Sequence, residues 1–393
     1  MDKEITIVWM NEGLRELYVI LGTNFCMLTG WLAFSPVFPL HVDDLGFSYF
    51  HLGILVAIPF LFSIFLRLPI GIVASRIGRE PIILSALAIQ SLSFLFLGFL
   101  SDWGSLFTVR ILQGVAISFF PPIIVAAIYD LAIPTTRGRM FGLLFTSAGF
   151  AMISGPLLST LLLQFLNLNT FFLVLSLFPA VGFGIYLISS PDRDQSSVEK
   201  YNSVKSSVGR VLKNRGVLAL CSCRVLFEIT ASMFATVFPV YTRDVLLITP
   251  SLVSALFMIR GMSNTFMRLP SGKLSDRIGR KKPILIAYLL LVGVFYLSSE
   301  TKSLTVFMLI MALYGFAWGL RIAPETALIS DLVDSEDSGV GIAINSTMIP
   351  LGSTIGSILA GWLALTASIQ TLFKLSSLMI VPAVIILLRM KER

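Results

Sequence analysis

Two pairs of opposite charges lie inside stretches of this sequence that are otherwise apolar. Arg224 and Glu228 form one pair, Arg321 and Glu325 form the other, and the members of each pair are four residues apart. This spacing places both side chains on one face of a helix. A carboxyl group beside a guanidinium can take up and release a proton as its surroundings change. The pairs therefore predict either proton binding and release or a purely structural, neutralised couple.

Two further arginines, Arg110 and Arg260, also lie in apolar stretches, so four arginines share this setting. At roughly 3 kcal/mol for each charge inside a membrane, four arginines facing lipid would cost about 12 kcal/mol. That cost is comparable to the whole stability of a typical domain. We therefore expect these side chains to face one another or a water-filled cavity.

The composition indicates the elements that must hold these charges. Hydrophobic residues make up 56% of the 393 residues, charged residues 13%, and the mean hydropathy is +0.88. Backbone groups in lipid have no water partner, so apolar stretches of this length must be helices. The sequence predicts an all-α membrane protein with twelve transmembrane helices, near residues 17–40, 50–74, 81–101, 104–129, 140–164, 168–190, 216–241, 251–273, 283–299, 303–330, 340–364 and 368–388.

A long internal repeat divides the chain into two homologous halves. The segment RLPIGIVASRIGR begins at Arg67, and RLPSGKLSDRIGR begins at Arg268. We predict an N-terminal six-helix half over 1–190, a cytoplasmic linker over 191–215 and a C-terminal six-helix half over 216–393. Two homologous halves in an apolar chain are typical of secondary transporters, in which the substrate site lies between the halves.

The distribution of basic residues predicts the orientation of the chain. Most of the lysines and arginines fall in alternate segments between the predicted helices, which the positive-inside rule assigns to the cytoplasm. We expect a multi-pass protein of the inner or plasma membrane with both termini cytoplasmic. The net charge of +7 then reflects topology and anionic lipid rather than nucleic acid. The three cysteines lie within predicted spans and are expected to be packing residues.

The repeated block resembles the loop between helices 2 and 3 of the major facilitator superfamily, whose pattern is Gly, x, Leu, x, Asp-Arg, x, Gly-Arg-Lys. The first copy has Ser75 where the family has aspartate. Nearly the whole chain shares the resemblance, and among similar sequences bacterial and archaeal proton-coupled efflux permeases dominate. The matching residues are Gly272, Leu274, Asp276, Arg277, Gly279, Arg280 and Lys281 in the second copy and Gly71, Arg76, Gly78 and Arg79 in the first.

The block also has a physical interpretation. Glycine at 71 and 272 suits close helix packing, and glycine at 78 and 279 suits a turn with positive φ. Asp276 can face a helix N-terminus. We expect Arg277 to reach Asp331 and Arg76 to reach Asp130; in the family such contacts are thought to close the cytoplasmic side. The alternative is a solvated turn whose arginines only signal topology.

The resemblance also implies which helices form the transport site. In this family helices 1, 4, 7 and 10 line the central cavity, and helix 4 carries the motif Arg-x-x-Gln-Gly, which Arg110, Gln113 and Gly114 match. Helix 5, with Gly155-Pro156, resembles a motif associated with antiporters. The implied set for substrate binding or coupling is Asn24, Arg110, Gln113, Arg224, Glu228, Arg260, Arg321 and Glu325.

Prolines within the predicted helices give a separate indication of the site. Breaks at matching places in the two halves of a transporter often mark the substrate site. We predict helix breaks at Pro121, Pro122, Pro156 and Pro324. Since Glu325 lies beside one of these breaks, we expect it to be the proton carrier in preference to Glu228.

Together these patterns predict a secondary active transporter rather than an enzyme, working by alternating access as a monomer. The substrate is expected to be a small organic solute, exported in exchange for protons, without cofactor or metal. The alternative is a proton-linked importer of an anionic metabolite, because the site candidates carry four arginines against two glutamates. An intramembrane enzyme or a non-transporting receptor is less favoured, since both histidines, His41 and His51, flank the outer ends of predicted helices 1 and 2.

Overall fold

A computed structural model describes residues 2–132, 136–189, 201–334 and 336–390; within these ranges it leaves undescribed the side chains of residues 2–13, 68, 71, 72, 75, 137 and 201–206. The described ranges form fourteen helices and no strand. They are α1 (Asp2–Asp44), α2 (Tyr49–Ile77), α3 (Glu80–Leu97), α4 (Trp103–Leu131), α5 (Arg137–Leu162), α6 (Leu168–Ser189), α7 (Tyr201–Lys213), α8 (Arg215–Leu246), α9 (Pro250–Ile278), α10 (Lys281–Glu300), α11 (Leu304–Leu332), α12 (Ser338–Leu363), α13 (Ile369–Met379) and α14 (Val381–Arg389).

The predicted all-α membrane architecture is confirmed. Eleven segments of the described chain are long and apolar enough to cross a membrane, with α13 and α14 together making one of them. Helix α9 has 29 residues but contains several charged residues, so it is not among the eleven. With α9 included, each of the twelve predicted apolar stretches corresponds to a helix.

Side-chain caps begin several of these helices where the sequence supplies them. The Asp102 carboxylate accepts from the backbone N–H of Ser105 at the start of α4, and Asn214 accepts from two backbone N–H groups at the start of α8. Such caps satisfy donors that the first turn of a helix leaves without partners. Hydrogen bonding to Ser105 lowers the pKa of exposed Asp102.

The helices pack into two compact units. The first comprises residues 1–35 and 62–197, and its core contains aliphatic and aromatic side chains of α1, α3 and α4 such as Leu87 and Phe120. The second comprises residues 36–61 and 198–393. Its core is aromatic: the Phe234 ring stacks on Phe238 at 4.5 Å and lies within 6 Å of the rings of three further residues, Phe295, Tyr314 and Phe373.

Glycines in the second unit bring particular helices into close contact. A Cβ at Gly319 of α11 would lie 2.5 Å from the backbone oxygen of Asn264 in α9. A Cβ at Gly352 of α12 would lie 2.6 Å from Cβ of Glu228 in α8. At Gly272, where the repeat predicted close packing, a Cβ would meet only Cβ of Ala323 at 3.9 Å, an ordinary contact. The close crossings therefore lie nearer the buried charges than the repeated loop.

The helices continue through their prolines without interruption. Pro121 and Pro122 lie inside α4, Pro156 inside α5 and Pro324 inside α11. The predicted helix breaks are therefore absent from these helices. A proline lacks the N–H that would bond the carbonyl four residues earlier, but inside a membrane protein neighbouring groups can satisfy that carbonyl, so the helix can continue.

The predicted linker contains helix α7 and residues 191–200, which lie outside the described ranges. Val211 of α7 is buried, whereas its neighbours Leu212 and Lys213 are exposed. Arg210 donates two hydrogen bonds to the carboxylate of Asp337, at 2.8 and 2.7 Å, close to the start of α12. These bonds lower the pKa of Asp337 and raise that of Arg210. The helix is thus held to the second unit by one buried apolar side chain and one ion pair.

Candidate functional site

Five polar residues of the second unit form a cluster that we call the buried charge cluster: Arg224 and Glu228 on α8, Arg321 and Glu325 on α11, and Asn345 on α12. Arg321 is fully buried and both glutamates are less than 5% exposed. The structure thus brings the two sequence-predicted pairs together into one network. Its two arginines and two glutamates give it no net charge when all four are ionised.

Glu325 has the more complete set of partners. Its Oε2 accepts from Nη1 of Arg321, four residues earlier on the same helix. Its Oε1 accepts from Nδ2 of Asn345 at 2.8 Å and lies 3.5 Å from Nη1 of Arg224. Hydrogen bonds and positive charges around a carboxylate favour its ionised form. The contacts therefore hold Glu325 as a carboxylate.

Glu228 has a different environment in the same cluster. Its Oε1 lies 3.1 Å from Nε of Arg224. Neither of these two atoms has a hydrogen-bond partner of acceptable geometry among the described residues. A charge contact without a hydrogen bond compensates a buried carboxylate only in part. Of the two glutamates, Glu228 is the one whose contacts least favour the ionised form.

An aromatic ring, that of Phe227, packs against the arginines of the cluster. The guanidinium carbon of Arg321 lies 3.9 Å from the centroid of the Phe227 ring, and the guanidinium carbon of Arg224 lies 5.9 Å from the same centroid. Cation–π contact of this kind stabilises a desolvated guanidinium. Asn345 and Phe227 were not predicted from the sequence. Asn345 is the one amide side chain of α12, which was a usable signal, whereas nothing in the sequence distinguished Phe227 from other phenylalanines.

In the first unit, Arg110 and Gln113 are buried on α4, and their role in the transport site stays a prediction. Nη1 of Arg110 donates to Oε1 of Gln113 at 2.6 Å. The guanidinium also lies 5.7 Å from the ring centroid of Trp31 and 5.3 Å from that of Phe34, both on α1. Gln113 and the two rings of α1 therefore fix the position of this arginine.

Asn24 forms a hydrogen bond between two helices. Its Nδ2 donates to the Ser147 hydroxyl of α5 at 3.3 Å, and that hydroxyl donates to the backbone oxygen of Leu21 at 2.9 Å. Asn24 is 6% exposed. These bonds join α1 to α5, and a role of Asn24 in substrate binding stays a prediction.

Arg260 on α9 belongs to the second unit and forms no ion pair with the glutamates of the buried charge cluster. Its guanidinium lies against three aromatic rings, 4.7 Å from the centroid of Phe257 and 5.6 Å from those of Tyr314 and Trp318. The side chain is half-buried, and its Nε is buried without a hydrogen-bond partner. The rings were not anticipated from the sequence, since aromatic residues are frequent along the whole chain.

The contacts of the repeated loops differ from the predicted ones by one arginine. Arg79, not Arg76, pairs with Asp130 and also donates to the backbone oxygen of Ala126 at 3.1 Å. Arg76 is exposed. The reason is the glycine turn: Gly78 has φ +85°, as predicted, and places the following arginine at the start of α3, beside the end of α4.

The second copy of the loop repeats this arrangement. Arg280, not Arg277, pairs with Asp276 and lies 3.5 Å from Asp331. Gly279 has φ +91°, and Arg280 then lies at the start of α10. The hydrogen bond that Arg280 donates to the Asp276 carboxylate raises the pKa of Arg280. Asp276 therefore holds an arginine at a helix start rather than capping the helix itself.

A second ion-pair group lies at the other end of α8 and was not predicted. Arg243 pairs with Asp43 and, at 2.6 Å, with Asp44 at the end of α1; its Nε donates to Asp244 at 2.9 Å. Nearby, a Cβ on Gly53 would lie 2.8 Å from Cα of Gly361. The available signal was that Arg243 is one of few basic residues in a predicted outer loop.

Comparisons with known proteins give a consistent family. The model of the Major Facilitator Superfamily matches residues 20–227 and 220–393. Multidrug resistance protein MdtH of Cronobacter sakazakii is 24% identical over 356 residues, covering 88% of this chain and 86% of that protein. An uncharacterized MFS-type transporter of Methanocaldococcus jannaschii is 22% identical over 386 residues, covering 96% and 99%. The multi-drug resistance efflux pump PmrA of Streptococcus pneumoniae is 24% identical, covering 82% of each chain.

Solved structures share the fold. The nucleoside transporter NupG superposes with a TM-score of 0.79 at 15% identity, covering 97% of this chain and all of that one. A bacterial homolog of the human lysosomal transporter Spinster, in an inward-facing conformation, superposes with a TM-score of 0.73 at 15% identity, covering 97% and 95%. At this identity the likeness concerns the fold alone.

Proposed function

The chain belongs to the major facilitator superfamily and is a multi-pass membrane transporter rather than an enzyme, and we propose that it exports a small organic solute in exchange for protons. Its direction is inferred from relatives named as multidrug resistance proteins and an efflux pump. The proposed location is the inner or plasma membrane, with both termini cytoplasmic, as the distribution of basic residues predicts.

One observation carries the proton coupling. Glu228 and Glu325 lie in one network, but Glu325 accepts two hydrogen bonds from side chains whereas Oε1 of Glu228 accepts none among the described residues. A proton carrier must be stable in both protonation states, and the glutamate with fewer donors is less committed to the charged state. These contacts support Glu228 as the proton carrier. From the sequence we expected Glu325 instead, because it lies next to Pro324.

The exchange of a proton at Glu228 alters the contacts of Arg224. In the ionised state Arg224 lies between two carboxylates, at 3.1 Å from Glu228 and 3.5 Å from Glu325. Protonation of Glu228 removes one of these charge contacts and leaves the other. The cluster then carries one net positive charge, which changes its attraction for a charged group of the solute. Binding of solute and binding of the proton are coupled through this change.

The loop contacts support a conformational role in alternating access. Arg280 joins the end of α9 to the end of α11 through Asp276 and Asp331, and Arg79 joins the start of α3 to Asp130 of α4. Each pair is at least one third exposed on its acidic side and is therefore weak singly. Weak contacts of this kind can form and break in each transport cycle.

The experiment that tests this proposal uses purified protein in liposomes with an imposed pH gradient. Cationic dyes and organic anions are offered together, and accumulation is compared with counterflow at equal pH. The expected result is accumulation of at least one compound that depends on the gradient. Glu300→Gln is the matched control, since this acid is about half exposed and pairs with Lys374, far from the cluster in sequence. Gradient-independent movement of every transported compound would contradict proton coupling.

A second function is favoured by a separate observation, the excess of positive charge. Arg110, Arg224, Arg260 and Arg321 are all at least half-buried, against two buried glutamates. This excess suits a proton-linked importer of an anionic metabolite. The same liposomes distinguish the two functions by the sign of the gradient that drives accumulation.

A further inference from the structure

The charge of Arg260 is not balanced by the protein around it. Arg224 and Arg321 share two glutamates, whereas Arg260 forms no ion pair with any carboxylate among the described residues. We propose that Arg260 binds a carboxylate group of the transported solute, which makes small organic carboxylates the substrate class. This inference rests on the proposed transport function and holds for either direction of transport.

The position of Arg260 along α9 requires a partner within the membrane. The residue lies ten positions after the start of the helix and eighteen before its end. At 1.5 Å for each residue these distances are about 15 Å and about 27 Å. An arginine side chain does not reach an interface that far away, so lipid headgroups cannot supply the balancing charge. An unbalanced cation at this depth is costly, which favours an anion when one is present.

The aromatic setting holds the guanidinium while leaving its polar edge available. The three rings stabilise the cation through their faces, and a guanidinium keeps its N–H donors in its own plane. Nε is buried without a partner, but the two terminal nitrogens are not among the buried unpartnered atoms. The side chain is half-buried and its Nε is enclosed, so in the proposed site the terminal nitrogens are the donors to the solute.

The polar atoms beside Arg260 are further donors without acceptors. Asn264 lies one turn later on α9, and its Oδ1 accepts from Nε of Arg268 at 2.9 Å, which leaves its Nδ2 as an unpartnered donor. The buried hydroxyl of Tyr314 is close enough to interact with the Arg260 guanidinium, and its own O–H has no acceptor among the described residues. A carboxylate is the matching group, because it accepts through two oxygens and donates through none.

Close helix packing keeps this donor group in place. A Cβ at Gly315 of α11 would overlap the backbone oxygen of Arg260, and a Cβ at Gly319 would lie 2.5 Å from the backbone oxygen of Asn264. The two glycines therefore set α9 directly against α11. The rings of Tyr314 and Trp318, which lie next to these glycines in sequence, are held beside Arg260 as a result. A preorganised cation with neighbouring donors is the arrangement that an anion site requires.

Trp318 provides a direct measurement of binding. A variant in which Trp9, Trp31, Trp103 and Trp362 are replaced by phenylalanine reports through Trp318, whose ring centroid is 5.6 Å from the guanidinium carbon. Phenylacetate and hexanoate are titrated against their neutral amides, phenylacetamide and hexanamide. The expected result is saturable quenching by the carboxylates, at least tenfold weaker binding of the amides, and loss of the difference in Arg260→Gln. Arg260→Lys should retain part of the preference, because it keeps the charge.

Two controls separate a site from a general effect. A protein that keeps only Trp362 should show no carboxylate-specific quenching, and Lys302→Gln, an exposed basic residue, should bind as the wild type does. Thermal unfolding of the arginine variants establishes that they are folded. Equal binding of acid and amide, unchanged carboxylate binding in folded Arg260→Gln, or no saturable quenching by either carboxylate would each overturn the proposal.

The outcome is distinguishable from failure of the transport function. If carboxylates bind at Arg260 but no compound moves through the liposomes, the site stands and the proposed function fails. If cationic or neutral compounds are transported with a proton gradient while carboxylates neither bind nor move, the function stands and the substrate class fails.

Discussion

Replacement of the two cluster glutamates should have clearly different consequences. Glutamine at either position resembles a permanently protonated glutamate and leaves the cluster with one net positive charge. In Glu228→Gln, Arg224 still has the carboxylate of Glu325 at 3.5 Å, and the bonds from Arg321 and Asn345 to that carboxylate are unchanged. We therefore expect a folded protein that exchanges solute across the membrane but no longer accumulates it.

Glu325→Gln should also lower the free energy of unfolding, which Glu228→Gln is expected to change less. Arg321 is fully buried, Glu325 is its ion-pair partner, and its Nε and Nη2 already lack hydrogen bonds among the described residues. Breaking one side of a buried pair costs about 3–5 kcal/mol. That is a large part of the roughly 5–15 kcal/mol by which a domain is stable. Glu325→Gln should therefore unfold at lower temperature and lose both exchange and accumulation.

The assay compares two modes of transport in the same liposome preparation. A pH gradient of one unit supplies about 1.4 kcal/mol for each proton, enough for roughly tenfold accumulation with one proton per solute. Wild type and Glu300→Gln should reach this value, and Glu228→Gln should show counterflow at a similar rate with no accumulation. If Glu228→Gln accumulates solute as the wild type does, the assignment of the proton to Glu228 is refuted.

Three further outcomes follow from contacts outside the cluster. Arg280→Gln should slow transport several-fold, whereas Arg277→Gln should have little effect, because only Arg280 contacts aspartates; transport rates in liposomes check this. Arg243→Gln, which removes pairs to three aspartates, should speed thiol labelling of a cysteine placed in the loop after α1, and unchanged labelling would mean that these pairs do not hold that loop. Because the pKa of Asp337 is lowered, its ion pair with Arg210 stabilises the fold at any pH above the ordinary carboxyl pKa of 3.8. That stability is lost only as the pH falls through the lower pKa of the folded state. Hydrogen exchange in α7, corrected for intrinsic rates, should therefore be unchanged between pH 7 and pH 5 and faster in Asp337→Asn.

The elements of the fold could be predicted from the sequence because length and hydropathy determine what crosses a membrane. The i, i+4 spacing also predicted that Arg224–Glu228 and Arg321–Glu325 would pair. Spacing along one helix gives no information about a second helix, so the bond from Asn345 to Glu325 was not foreseen.

The predicted arginine partners of the loop aspartates were wrong by three residues, because they depended on the direction of the chain at a turn. The glycine turn of each repeat carries the chain around before the next helix begins, so the arginine after the turn meets the aspartate, as Arg79 does with Asp130. The helix breaks predicted at the prolines were a second error, because a membrane helix can continue past a proline when neighbouring groups bond the carbonyl that the proline leaves without a donor.

The central claim is that solute and protons move in one coupled cycle. The most direct measurement is the pH inside liposomes that contain the protein and a trapped pH-sensitive dye, recorded when solute is added outside with no gradient imposed. Addition of a transported solute should change the internal pH in the wild type, in the direction that exchange requires, and the change should vanish in Glu228→Gln. Entry of solute with no change of internal pH in the wild type would contradict the account.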